Sequence, residues 1–159
     1  MALITAALVI STASVRNIDA GMILPIDIAA AERDYIKKPL GTDLYDAIVL
    51  NSGGTYTAFI STYVVPVMAL GVISNIWNRL RVEITDRGIN QLTGEGITTP
   101  QNEAADMALF EYRQRLGSYI GVMIDHADEN YPALYDSTID YQYKEVTYYS
   151  QQPLRTTAL

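Results

Sequence analysis

The single histidine of the chain, His126, lies in the segment D-H-A-D-E (residues 125–129), beside Asp125 and ahead of Asp128 and Glu129. Carboxylates next to an imidazole could bind a metal ion or exchange protons with a substrate. The spacing does not match a helical zinc motif such as H-E-x-x-H, and the chain has no cysteine to complete a ligand set. We therefore interpret the segment as a solvated helix end, where a histidine also suits the negative end of the helix dipole.

The other residues that could do chemistry form no recognisable catalytic or binding motif either. The carboxylates of Glu32, Asp34, Asp43 and Asp46 could form pairs, but no nucleophile lies beside them, and exposed helix faces carry such residues routinely. Glycine-rich pieces occur at 53–54 and 94–96, and neither fits a phosphate-binding loop or a dinucleotide fingerprint. The sequence thus predicts a protein that is not an enzyme and that needs neither a cofactor nor a metal.

Composition narrows the classes of partner. The chain has 159 residues, of which 49% are hydrophobic and none is cysteine, so one domain should fold around a single core without disulfides. The formal net charge is −7, and the basic residues do not form a patch, which argues against a protein that grips nucleic acid. An acidic chain can still lie beside DNA that passes it, because like charge reduces adhesion.

The hydrophobic periodicity predicts a mainly α fold, a helical bundle. A first clear helix should run from Asp19 to about Lys38, and a second from about Thr42 to Leu50. A third helix should run from about Tyr56 to Arg81 and should be kinked at Pro66. Gly71 lies within this helix, and we expect it to allow another helix to cross closely.

Three further segments complete the predicted body, residues 1–131. Residues 3–10 fit either a strand or a short helix. Residues 82–98 carry short apolar pieces between glycines, from which we predict a small β-hairpin or loop insertion. The last helix should begin at Thr99 as its cap, with Pro100 in the first turn, and should end at Asn130.

Residues 132–159 differ from the body and predict an extended C-terminal arm. Six of the twelve tyrosines fall within or just before it: Tyr131, Tyr135, Tyr141, Tyr143, Tyr148 and Tyr149. The alternation from Ile139 to Tyr143 is typical of a strand, and tyrosine suits interfaces because it combines an apolar ring with a polar tip. The arm could pack on its own domain or add as a strand to a neighbouring subunit. Residues 125–145 hold six acids against Lys144, so we expect a partner of this region to be basic.

One segment is apolar enough to raise the possibility of a membrane span. Residues 58–77 lie in a stretch without charge that extends from Asp46 to Arg79. Pro66, Asn75 and several hydroxyl residues argue against a span, and a helix buried in a protein core explains the composition as well. We favour the core helix and keep a single-span or membrane-associated protein as the alternative.

The sharpest local signal is a helix corner at residues 31–45, with the sequence A-E-R-D-Y-I-K-K-P-L-G-T-D-L-Y. Pro39 lacks a backbone donor and should push Lys38 out of the helical region. Gly41 permits a backbone conformation closed to other residues, and Thr42 suits the N-cap of the next helix. Pro39, Gly41 and Thr42 are therefore predicted to form a structural corner.

The pattern A-E-x-x-Y-I-x-x-P-L-G-T-x-L-Y at residues 31–45 resembles the head–tail connector, or neck adaptor, proteins of tailed bacteriophages, most of all those of crAss-like phages of Bacteroidetes. The order of parts is similar too: a long helix broken at Pro66, Gly88-Ile89 in the insertion, and a final helix ending in Asn130-Tyr131. The resemblance covers about residues 10–135, and the arm lies beyond it.

The resemblance implies a structural virion protein that forms a ring of twelve copies on the portal, in the neck of the phage. Its partners would be copies of itself, the portal protein and other neck or tail proteins. DNA would pass through the ring without being bound specifically, and the protein would have no membrane partner. A ring requires a head-to-tail contact that closes. The protein would be made in the host cytoplasm and end in the virion, with the six tyrosines of the arm region at the subunit or partner interface.

Overall fold

The computed structural model describes residues 3–13, 18–86 and 101–136, and these residues confirm the mainly α fold, with helices and no strand among them. A single 3₁₀ turn, Ala20–Met22, precedes the second helix. The helices are α1 (Ala6–Ala13), α2 (residues 25–40), α3 (Thr42–Leu50), α4 (residues 57–86) and α5 (Gln101–Asn130).

Polar caps begin the first two helices. The side chain of Thr5 accepts a hydrogen bond from the N–H of Leu8 (3.3 Å), so the segment that fitted either a strand or a helix starts α1. Pro25 is the first residue of α2, where its missing N–H has no helical partner to lose. The Asp27 carboxylate accepts a hydrogen bond from the N–H of Leu24 (2.8 Å) and so satisfies the backbone donor of the N-cap residue, whose own side chain has no acceptor.

Both prolines inside helices follow a π turn. In α2, residues Arg33–Lys37 are π-helical and the N–H of Lys38 bonds to the carbonyl of Arg33, directly before Pro39. In α4, residues Ile60–Val64 are π-helical and the N–H of Val65 bonds to the carbonyl of Ile60, directly before Pro66. Each turn holds one residue more than an α turn, so the backbone is not forced into the ladder with which a proline ring clashes. Each helix therefore continues through its proline.

Helix α4 is the centre of the fold, and it contacts α1, α2 and α5. Its residues facing α2 include Gly71, Asn75 and Arg79, which follow one another at steps of four. Its residues facing α5 include Tyr63, which stacks on the His126 ring, and Trp77, whose ring meets that of Tyr112 at a tilt of 46°. At 100° per residue the two stripes lie on different faces of α4, while the end of α2, at residues 38–40, also contacts α5. Among the described side chains of α4, those that are fully buried include Phe59, Val64, Val67, Met68, Ala69, Val72 and Ile73.

The predicted and observed bounds agree best for α3, which runs from Thr42 to Leu50 as predicted. The predicted hairpin of residues 82–98 is not observed where it can be checked, because residues 82–86 continue α4 and residues 87–98 lie outside the described residues. The predicted capping residues Thr99 and Pro100 also lie outside them. The arm is described only as far as Asp136; residues 132–134 form a turn, and Tyr135 after it is buried in the body.

Candidate functional site

The corner motif of residues 31–45 breaks the helix at Gly41. This residue has φ 78° and ψ 165°, a combination that in practice only glycine adopts. Lys38 keeps right-handed helical angles (φ −65°, ψ −48°), so the prediction that Pro39 expels it from the helix is wrong. The N-cap of α3 is Gly41, without a side-chain hydrogen bond, and Thr42 is the first helical residue rather than the cap. The corner therefore depends on the backbone of Gly41 and on the burial of Pro39 and Leu40 beside it.

Tyr35 fixes α2 against α4. Its ring lies so close to Gly71 that a Cβ atom built on this glycine would overlap the ring, including Cε2 at 2.9 Å. Its hydroxyl donates a hydrogen bond to Oδ1 of Asn75 (2.9 Å), one turn further along α4. Burial raises the pKa of Tyr35. The prediction that Gly71 allows a close helix crossing is confirmed, and Asn75 has a partner within the fold.

Tyr45 ties α3 back to α2. Its hydroxyl donates a hydrogen bond to Oε1 of Glu32 (2.8 Å), and the ammonium group of Lys37 lies over its ring at 5.1 Å from the centroid. Burial and this hydrogen bond to a carboxylate raise the pKa of Tyr45 to about 12, so the phenol stays protonated and remains a donor at any physiological pH. Glu32 is thus half-buried and bonded, and it is not one of the freely exposed carboxylates that the sequence suggested.

Asp34 forms a small ion-pair network at the surface of α2. Its two carboxylate oxygens accept hydrogen bonds from Arg33 (3.0 and 2.8 Å) and Lys38 (2.6 Å). Hydrogen bonds from these two cations lower the pKa of Asp34 to about 2. Asp34 therefore serves to stabilise the π turn of α2 and does not carry the raised pKa that a general acid requires.

Arg79 joins the C-terminal part of α4 to the start of α2. One of its guanidinium nitrogens donates to Oδ2 of Asp27 (2.6 Å) and to the carbonyl oxygen of Met22 (2.7 Å). Burial alone would raise the pKa of Asp27, but the hydrogen bonds from Arg79 and from the N–H of Leu24 lower it below its usual value. This bridge holds the 3₁₀ turn and the cap of α2 in one arrangement.

An aromatic cluster surrounds His126 near the end of α5. The imidazole stacks on the ring of Tyr63 (centroids 4.3 Å apart, planes at 23°) and on that of Phe59 (5.5 Å, 16°). Tyr131 meets Phe59 edge-on at 5.4 Å and Tyr56 at 5.2 Å. His126 is half-buried and lies 3.2 Å from the side-chain nitrogen of Asn130. The interpretation of this segment as a solvated helix end is therefore wrong for His126 itself, although Asp125, Asp128 and Glu129 are exposed.

The structure places two of the six predicted interface tyrosines in the body. Tyr135 is 5% exposed and belongs to the core, and Tyr131 is half-buried in the aromatic cluster. The remaining four, Tyr141, Tyr143, Tyr148 and Tyr149, lie outside the described residues.

Sequence reasoning missed the role of the aromatic residues at the start of α4. Tyr56, Phe59 and Tyr63 recur at steps of three and four, which is the spacing of one helix face. That spacing could have indicated an aromatic face, but it does not identify His126, some sixty positions later, as the residue stacked on it. Likewise, Glu32 and Tyr45 lie on two helices, and only the break at Gly41 brings them together.

The polar and charged side chains described above join parts of the fold to one another. Within residues 3–13, 18–86 and 101–136, no group of three or more His, Asp or Glu side chains is arranged to hold a metal ion. One helix, over Thr57–Trp77, is long and apolar enough to cross a membrane by length and composition, and 56% of its most apolar window is buried inside the fold. That burial reflects the central position of α4 between α2 and α5.

The fold and the corner define a mainly helical protein in which side-chain hydrogen bonds join one helix to another. A model of a family of unknown function, DUF6712, matches residues 36–145, and the chain belongs to this family. The match begins at Ile36 in the corner and extends past the described residues into the arm. No curated protein and no solved structure matches the chain.

Proposed function

We propose that this protein is a structural subunit of the neck of a tailed bacteriophage. In this proposal the chains form a ring, of about twelve copies by the symmetry of the portal that it would follow, and the ring bridges portal and tail. The acidic chain would line the DNA path without binding DNA specifically, in keeping with its net charge of −7.

The observation that carries the proposal is that the residues of the motif at 31–45 build the corner between α2 and α3. Its apolar members Ala31, Ile36, Leu40 and Leu44 are fully buried. Its polar members bond to one another or to α4: Tyr45 to Glu32, and Tyr35 to Asn75. The residues that carry the resemblance to connector proteins are therefore those that build a rigid corner, which is what a repeating structural subunit needs.

The position of the tyrosines refines the proposed interface. Tyr131 and Tyr135 serve the body of the same chain, so we assign subunit or partner contacts to Tyr141, Tyr143, Tyr148 and Tyr149. In this proposal the segment that carries these four residues adds as a strand to a neighbouring subunit.

The test is assembly of the full chain, alone and with the portal protein, measured by light scattering on a sizing column and by electron microscopy of the particles. We expect a closed ring, and we expect alanine at the four arm tyrosines to abolish it. The matched control is alanine at Gln151 and Gln152, in the same segment, which should leave the ring intact. A chain that stays monomeric with and without the portal would contradict the proposal.

A second candidate function rests on the apolar helix over Thr57–Trp77, namely a membrane-associated protein. In that case α4 would have to leave α2 and α5, exposing Val64, Val67 and Met68 to lipid. Flotation with liposomes in the absence of detergent separates the two candidates. A wild-type chain that floats with the liposomes would favour the membrane, and one that stays at the bottom of the gradient would favour the neck subunit.

A further inference from the structure

An apolar groove of about 320 Å³ lies between α1 and the first turns of α2. Its lining residues are Ala6, Ile23, Pro25, Ile28, Ala29 and Glu32. Glu32 is the one charged residue among these, and its carboxylate also accepts the hydrogen bond from the Tyr45 hydroxyl. We name this feature the α1–α2 groove. Its chemistry suits an apolar side chain that has a basic group beside it.

The surroundings of the groove are apolar and exposed as well. Leu24 and Ile26 flank the lining residues Ile23 and Pro25 in the chain, and they are 45% and 71% exposed. Leu24 and Ile26 therefore add exposed apolar area beside the groove, of the kind that protein contacts use when it is extensive. The Asp27–Arg79 bridge and the contact of Arg79 with the carbonyl of Met22 fix the backbone around it. The groove is therefore already formed in the single chain, which lowers the entropic cost of binding.

Helix α5 carries a complementary surface. Arg115, Tyr119 and Val122 follow one another at steps of four and three, and all three are exposed; Tyr119 and Val122 are 44% and 53% exposed. The core side of the same helix is made by Leu116, Ile120 and Met123. We name the exposed set the α5 stripe. It offers two apolar side chains next to one guanidinium group, which matches the apolar lining of the groove and its single carboxylate.

The α5 stripe is exposed and lies on the side of α5 away from Leu116, Ile120 and Met123, so it is open to a second copy and is not packed into the groove of its own chain. We propose that the α5 stripe of one copy docks in the α1–α2 groove of the next copy. The inference rests on the proposed ring and names the contact that would build it. A contact between two different surfaces of the same chain is head-to-tail, and repeated copies of such a contact close into a ring when the rotation permits.

The absence of cysteine from the sequence makes a direct test possible, because introduced thiols are then the only ones. Ala29 lies in the groove and is exposed, and Val122 lies in the stripe. A full-length chain with both A29C and V122C, treated with a short bis-maleimide, should give a ladder of dimers, trimers and higher species. A mixture of the two single variants should give dimers only, since each copy then has one reactive site.

The matched control pairs A29C with G53C, in an exposed loop where a side chain meets nothing within 4 Å. This pair should give at least tenfold less cross-linked product than A29C with V122C. A second test exchanges charge: E32R and R115E should each shift the chain towards monomer, and the double variant should restore assembly. E32Q keeps an acceptor for the Tyr45 hydroxyl, so it separates the loss of charge from the loss of that bond.

The outcomes distinguish the groove contact from the ring itself. A ladder from the A29C and V122C pair alone, with rescue by charge exchange, supports the contact. A wild-type ring that gives no ladder and ignores both charge changes overturns the groove contact and leaves the ring proposal standing. A wild-type chain that is monomeric with and without the portal overturns both, because the occupant proposed for the groove is a second copy.

Discussion

The ring of Tyr35 in α2 lies over Gly71 in α4 and leaves no room for a Cβ atom at position 71. The hydroxyl of the same tyrosine then reaches Asn75, one turn along α4. This contact sets the distance between the corner and the central helix. The corner, in turn, brings Glu32 and Tyr45 together, so the crossing and the corner form one rigid unit.

Replacing Gly71 with Ala should destabilise the protein, because the added methyl group overlaps the Tyr35 ring. Overpacking costs about 1–3 kcal/mol, which exceeds the ~1 kcal/mol that alanine gains in helix propensity. Urea unfolding followed by circular dichroism measures the difference. Gly121→Ala is the matched control, since a Cβ there meets nothing within 4 Å, and it should stabilise the protein by up to ~1 kcal/mol. Equal gains in stability for the two variants would contradict the close crossing.

Replacing Gly41 with Ala should also destabilise the protein, for a reason that lies in the backbone. The angles of Gly41 fall in a region that costs a residue with a Cβ atom about 1–3 kcal/mol. Gly53→Ala, in an exposed loop, should change the free energy of unfolding by less than ~0.5 kcal/mol. The two denaturation midpoints test this directly. A Gly41 variant as stable as the Gly53 variant would show that the corner does not need its observed angles.

The network of Asp34 predicts a loss of stability in acid. The folded protein holds the pKa of Asp34 at about 2, below the ordinary 3.8, so the carboxylate contributes stability above pH 3.8 that is lost as the pH falls towards 2. Asp34→Asn should therefore lower stability at pH 7, by less than ~1 kcal/mol because the pair is near the surface, and most of this difference should be gone by pH 2. Thermal unfolding at several pH values measures the gap.

Replacement of Asp128 in α5 serves as a control, because the expected change in stability has the opposite sign. Asp128 is exposed near the negative end of that helix, where a carboxylate is unfavourable. Asp128→Asn should leave stability at pH 7 unchanged or raise it by about 0.3–1 kcal/mol. If both variants lose the same stability at pH 7, the effect of Asp34 is not due to its ion pairs.

The bounds of α3 and the crossing at Gly71 were predictable because each depends on local chemistry. Gly41 and Asn51 bracket α3 in the sequence, and a glycine within an apolar helix indicates a close neighbour. The fate of Lys38 was not predictable in the same way. The restriction on a residue before proline is a local steric preference, and Lys38 overrides it because α2 continues into the buried residues Pro39 and Leu40. The π turns ahead of Pro39 and Pro66 act on a different clash, that of each proline ring with the carbonyl one turn earlier.

The cluster around His126 could not be predicted because its parts are far apart in the chain. The segment D-H-A-D-E is charged and suggests solvent on all sides, yet α4 supplies Phe59 and Tyr63 as a stacking surface for the imidazole. The same holds for Arg79, which the sequence shows only as one of two neighbouring basic residues. Its partners Asp27 and Met22 lie more than fifty positions earlier, and only the packing of α2 on α4 reveals them.

Deleting residues 137–159 should leave a folded chain that does not assemble. The cut falls after Tyr135, which is buried in the core, so the body keeps its apolar contacts. Circular dichroism should show the helical signal and a cooperative thermal transition, while light scattering should give the mass of a monomer. Removing only residues 153–159 keeps every tyrosine and should preserve the assembly. The role of the arm would be contradicted if the chain ending at Asp136 formed the same ring as the full one.

The most direct measurement is the native mass of the purified full-length chain, alone and mixed with portal and tail proteins. The proposed function predicts a closed ring of about twelve copies, or joining of the chain to a portal-containing complex. A monomer at all concentrations that binds neither portal nor tail proteins would contradict it, and the protein would then be a helical domain that serves some other purpose.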